Sequence, residues 1–158
     1  MELLPFFEWL ETSLLGQAAK SYGGLYAMFQ SAHLLAMALL GGCILITDLR
    51  IMNIAMTDTP ARAVVDGAHK WFKVGLIIIL ATGVFMLAGV ATKCYHNAAY
   101  WAKMAALFSG ILFVFLVKQP LLKYDLEQIK PWVLKSVGIS SLLIWFTVAA
   151  AGRWIGFS

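Results

Sequence analysis

Residues 25–46, LYAMFQSAHLLAMALLGGCILI, run for twenty-two residues without a formal charge, and His33 lies about a third of the way along. As a helix with a rise of 1.5 Å per residue the run is about 33 Å long, enough to cross a hydrocarbon core of roughly 30 Å. Such a segment restricts the fold to helices that satisfy their own backbone, because lipid offers no hydrogen bonds. It also raises the question of why a titratable ring sits inside it.

Composition points the same way. Only 13% of the residues are charged and 61% are hydrophobic, against roughly 25% charged in a soluble domain; the mean hydropathy is +0.82. A chain of 158 residues has room for about four crossings of some 20 residues each. The opening, MELLPFFEWLETSLLG, is acidic where a secretory signal would be basic, so no signal is expected. The net charge of +4 does not suggest nucleic acid, because the cations flank apolar spans. Cys43 and Cys94 form no CxxC or CxxCH pattern, which excludes covalent haem attachment and zinc ribbons.

Along the chain, residues 3–16 place Leu3, Phe6, Phe7, Leu10 and Leu14 on one side. This spacing predicts a short amphipathic helix in the membrane interface, with Trp9 at headgroup depth. Span one is expected over about 23–56 and span two over about 60–92, with Thr59 as N-cap and Pro60 at the first helical position. Span three is expected over about 100–118, the polar stretch 119–130 follows, and Pro131 opens span four, about 131–157. The expected fold is all-α, a four-helix transmembrane bundle forming one integral membrane domain. Eight Lys and Arg fall on one side of these spans and four on the other. The positive-inside rule then predicts a bacterial inner membrane protein with both termini in the periplasm.

Small residues mark where helices approach. Gly75, Thr82 and Gly89 recur every seven residues on span two, and Gly41-Gly42 lies on span one; close helix packing is the simpler expectation for both.

His33 is the first candidate for chemistry. It sits about 12 Å below the outer face, with Gln30 on its seam. An ionisable group at that depth usually faces the bundle interior. It suits an axial haem ligand, a metal ligand or a proton-handling group near a quinone. The plainer alternative is a neutral ring bonded to Gln30 or to a Ser or Thr of another helix. Arg153 and Lys103 lie at similar outer levels, where they would neutralise haem propionates or, singly, snorkel to headgroups. Spans one and two are antiparallel about Asp58, so His33 is expected level with about residue 83. His69 is then about 21 Å away, which rules out one haem bridged by both histidines. Met104 and Met86 are at better depths for a second ligand, as is His33 of a second protomer. Cys94 and His96 make a weak copper pair, and a loop packed on Tyr100 and Trp101 is the better expectation. Asp48 and Arg50 are expected to pair or face headgroups. No phosphate loop, nucleophile elbow, HExxH motif or intraspan carboxylate pair is present, so hydrolase and nucleotide chemistry have no support.

Four stretches, LLPFFEWLE, HLLAMALLGGCILITDLRIM, KCYHNAAYWAKMA and AAAGRWIGF, cover the chain nearly end to end. On these the protein resembles an uncharacterised family of small bacterial four-span integral membrane proteins, a domain of unknown function. The resemblance implies that His33, Asp48, Arg50, Cys94, Tyr95, Lys103, Arg153 and Trp154 belong to the family pattern, whereas His69 and His96 do not. It lends no reaction. Similarity to four-helix cytochrome b and copper-resistance membrane proteins is fold-level analogy.

The leading expectation is an electron-transfer subunit, with His33 ligating a b-type haem and Arg153, Lys103 and Met104 around it. The alternative is a non-catalytic anchor or accessory subunit of a larger complex. A small-solute channel is a third and weaker reading. Expected partners are the lipid bilayer, other membrane or periplasmic subunits, and a second copy of the chain.

Overall fold

The computed structural model describes residues 3–124 and 129–157; positions 125–128 of the polar connection lie outside them. The elements are α1 (Leu4–Thr12), α2 (Leu14–Ser21), α3 (Gly23–Ile51), α4 (Ala61–Gly89), α5 (Ala91–Tyr95), α6 (Ala98–Leu121) and α7 (Pro131–Phe157). Helices α3, α4, α6 and α7 are each long and apolar enough to cross a membrane. The chain is therefore a multi-pass membrane protein built as a four-helix bundle. The first and last described residues, Leu3 and Phe157, and α5 lie at one end, termed the termini end; the connection after α3 and the end of α6 lie at the loop end.

Helix α3 pairs most extensively with α4, and α6 with α7. The four meet on an apolar core that includes Leu40, Ile44, Phe72, Leu76, Leu107 and Trp145, with Phe72 and Trp145 in edge-to-face contact at 5.8 Å. Much of the remaining helix surface is exposed and apolar, among it Leu35, Ile77, Phe108 and Phe146, as a bilayer-facing surface must be.

Three local features depart from expectation. Helix α3 stops at Ile51 rather than near Met56; Asn53 and Met56 adopt positive φ, 61° and 54°, and turn the chain back. Pro60 is itself the N-cap of α4, with extended ψ of 129°, so Thr59 makes no side-chain cap. Its carbonyl instead accepts from Arg50 Nε at 2.8 Å. The N-terminal segment is two helices, broken where Ser13 is extended and its hydroxyl caps Gly16 N–H at 3.3 Å. Phe7 and Leu10 pack on Ala88 and Ala91, while Leu3, Phe6, Trp9 and Leu14 remain exposed. The segment thus closes the termini end of the bundle as well as presenting an apolar face.

A charged clamp fixes it there. Glu11 accepts from Lys20 at 2.6 Å and from the Thr92 backbone N–H at 2.7 Å, and from the Thr92 hydroxyl. The Lys20 and Thr92 hydrogen bonds hold the Glu11 carboxyl down at about 2.

Candidate functional site

His33 belongs to the buried stripe of α3 that also carries Ala36, Leu40 and Ile44, one helical face at three- and four-residue spacing. Its Nδ1 lies 2.7 Å from Thr82 Oγ1 of α4, and a Cβ on Gly83 would sit 3.5 Å from its Cε1. The antiparallel register expected from the turn is the one observed. Thr82 has a single hydroxyl proton, which it donates to the Ile78 carbonyl at 2.6 Å. With that proton given to Ile78, its oxygen accepts from His33 Nδ1–H, and this tautomer of the neutral ring carries its lone pair on Nε2. The ring is tied to α4 at Nδ1 and also borders open space.

His33 borders two adjoining cavities. The first, about 380 Å³, opens toward the termini end and is bordered by Lys103, Arg153, Lys93 and Cys94. The second, about 350 Å³, is apolar and extends inward along Met37, Gly41, Leu107 and Trp145. Each is within the range of about 300–1,000 Å³ typical of ligand pockets. Lys103 borders both and makes no ion pair with an acidic side chain among the described residues. Arg153 stacks over Phe157, its Cζ 4.4 Å from the ring centroid.

Of the residues singled out from sequence, His33, Lys103 and Arg153 thus meet at one site. Met104 does not: it is 38% exposed and borders neither cavity. Met37 and Met86 are the thioethers at the cavity. His69 lies toward the loop end, 3.0 Å from the Gln119 amide, as the register requires.

The small-residue positions divide. A Cβ on Gly75 would meet Leu40 Cβ at 3.3 Å, and one on Gly89 would meet Ala19 Cβ at 3.0 Å, so these are helix-packing positions. At Gly41 and Gly42 nothing lies within 4 Å. The expected close packing is absent there, and Gly41 borders the second cavity.

Cys94 is buried among Tyr26, Tyr100 and Lys103, and burial pushes its thiol up from the ordinary value. Tyr95 and His96 are in edge-to-face contact at 5.0 Å, and Trp101 Nε1 donates to the Tyr95 carbonyl at 2.8 Å. No cluster of three metal-ligating side chains occurs among the described residues.

Sequence reasoning missed a second polar centre. Asp48 does not pair with Arg50; its Oδ1 lies 2.6 Å from Lys118 Nζ of α6, with side-chain exposures of 0% and 7%. Lys118 Nζ also donates to Thr47 Oγ1 at 2.8 Å, and the fully buried Ser141 of α7 stands beside the carboxyl. A Cβ on Gly138 would come within 2.6 Å of Met52 Cγ; its absence lets α7 approach α3 and brings Ser141 to Asp48. The available signal was an aspartate inside a 29-residue apolar helix.

Fold and sites together define a four-span membrane protein with one polar centre in each half of its bundle. The chain belongs to a family of unknown function (DUF6644), whose model matches residues 6–158. No curated protein and no solved structure matches it.

Proposed function

We propose that the chain is a membrane subunit for electron transfer that holds a b-type haem through His33 Nε2. The observation that carries this reading is the placement of Thr82 Oγ1, 2.7 Å from His33 Nδ1 and 2.6 Å from the Ile78 carbonyl; in the tautomer that gives Nδ1–H to Thr82, Nε2 is the basic atom beside the cavities. Histidines that ligate metal characteristically donate their other N–H in this way, which fixes the tautomer and raises ligand basicity. Lys103 and Arg153 supply positive charge at the same cavity for the two propionates. Gly83 lies beside the ring, and Gly41 borders the second cavity two turns further along α3. When bound, haem would supply one-electron chemistry; the protein's part is ligation, charge neutralisation and exclusion of water. The asymmetry of eight cations against four supports an inner-membrane location with both termini in the periplasm, where α1, α2 and α5 would offer the docking surface for a redox partner.

A second reading has its own observation. The His33–Thr82 hydrogen bond links α3 to α4, and such a bond alone would serve an accessory anchor that carries no cofactor. Haem content per chain, measured on protein purified from its native membrane, separates the two. The electron-transfer reading expects close to one haem per chain, lost in His33→Ala and reduced in Lys103→Gln. A protein free of haem that leaves the membrane in fixed stoichiometry with other chains establishes the anchor instead.

A further inference from the structure

Asp48 and Lys118 play no part in that reading. Each lies three residues before the end of its helix, at Ile51 and Leu121, which puts the pair about 5 Å below the loop end. Among the described residues the ion-pair partner of Asp48 is Lys118, and that of Lys118 is Asp48. The other titratable groups near the pair are His69 of α4 and Cys43 of α3, while α7 contributes the Ser141 hydroxyl.

Three features go beyond a staple between helices. A cavity of about 40 Å³ touches Lys118, Thr47, His69 and Gln119, and a water needs only about 10–15 Å³ of such space. Below it, the loop end opens into a cleft of about 990 Å³ bordered by Arg50, Ile51 and Met52, which follow Asp48 in sequence. Lys118 also closes a π-helical turn, Phe113–Lys118. Pro120, two residues on, has no N–H to continue the regular ladder, and single π turns inside helices are frequent at functional sites. Lysine there has a long stem close to the helix end, so its ammonium can be withdrawn toward water.

We propose that Asp48 is a proton-binding site, reached from the loop end past Lys118, which both borders the cavity at His69 and Gln119 and covers the carboxylate, and that loading it releases Lys118. The carboxylate takes a proton from hydronium, forming its O–H bond and leaving water. The Lys118 Nζ–H···Oδ1 contact breaks, and Lys118 keeps its own proton. A buried ammonium without its anion is unfavourable, so Lys118 extends toward the loop end while the neutral carboxyl stays beside Ser141. Loss of the proton reverses both movements.

Infrared spectra of the full chain in phosphatidylcholine vesicles, titrated over about pH 4–9 in H2O and D2O, test this. The expected result is a protonated-carboxyl stretch that grows on acidification, shifts in D2O and is absent from Asp48→Asn. Lys118→Met should show the band already at neutral pH, because no cation then holds the carboxylate. Should Asp48→Asn fail to fold, Asp48→Asn/Lys118→Met, which leaves no buried charge, serves as the baseline. The proposal is overturned if no Asp48-dependent carboxyl band titrates in this range, or if Lys118→Met has the wild-type spectrum. Neither result depends on whether His33 carries haem.

Discussion

Removing the carboxylate of Asp48 should be among the most damaging single changes in the bundle. The ion pair is 2.6 Å long, and neither side chain is more than 7% exposed. At an effective dielectric of about 20, Coulomb's law gives roughly 6 kcal/mol of attraction at that distance. Most of it offsets the desolvation of the two ions, so the net value of the intact pair is small. Asp48→Leu keeps the desolvation cost of Lys118 without the attraction, and should destabilise by about 3–5 kcal/mol. Asp48→Leu/Lys118→Leu removes both charges and should lie within about 1 kcal/mol of wild type or above it. The assay is a double-mutant cycle on reversible unfolding in mixed micelles, followed by helical circular dichroism, with denaturing detergent as the variable. Additive single effects, or a cost below about 1 kcal/mol for Asp48→Leu, would show that the pair is hydrated in the native state and refute the reasoning.

Other expectations follow from the same contacts. Thr82→Val should weaken haem retention by about 10–100-fold by removing the Nδ1–H acceptor, while Thr82→Ser retains it; titration of apoprotein with haem reads the difference. Gly138→Ala places a Cβ within 2.6 Å of Met52 Cγ and should cost about 1–3 kcal/mol through overpacking. Gly41→Ala meets nothing within 4 Å and should leave unfolding unchanged while lowering haem content. The Glu11 carboxyl, held at about 2 against 4.5 in the free side chain, contributes stability that is fully present above about pH 4.5. That contribution should fall away as pH drops toward 2. Trp9 fluorescence should report undocking of α1 over that window, and Glu11→Gln should abolish the dependence.

The parts of the fold legible in the sequence are those governed by one-dimensional physics. Long, predominantly apolar runs specify the four spans, the third of them with Lys103 and Lys118 inside its ends, and Pro131 sits at the first position of the last helix, where its missing N–H has no cost. The turn around Asp58 set the register well enough to bring His33 level with Thr82 and Gly83 and to keep His69 away. The Asp48–Lys118 centre was hidden because the two residues are far apart in sequence, and each lies close enough to a helix end to pass for an interfacial charge. Azimuth decides the matter: both side chains point into the bundle. The same gap explains Met104, which borders neither cavity at His33, and Gly41, which borders a cavity rather than a helix contact.

The reduced-minus-oxidised absorption spectrum of the protein, taken from its native membrane, is the most direct measurement of the central claim. The account predicts b-type Soret and α bands in the wild type that vanish in His33→Ala and are retained in Asp48→Asn/Lys118→Met, which leaves no unpaired buried charge. Bands indifferent to His33, or a colourless wild-type protein whose reconstitution with haem gives no His33-dependent band, would contradict it.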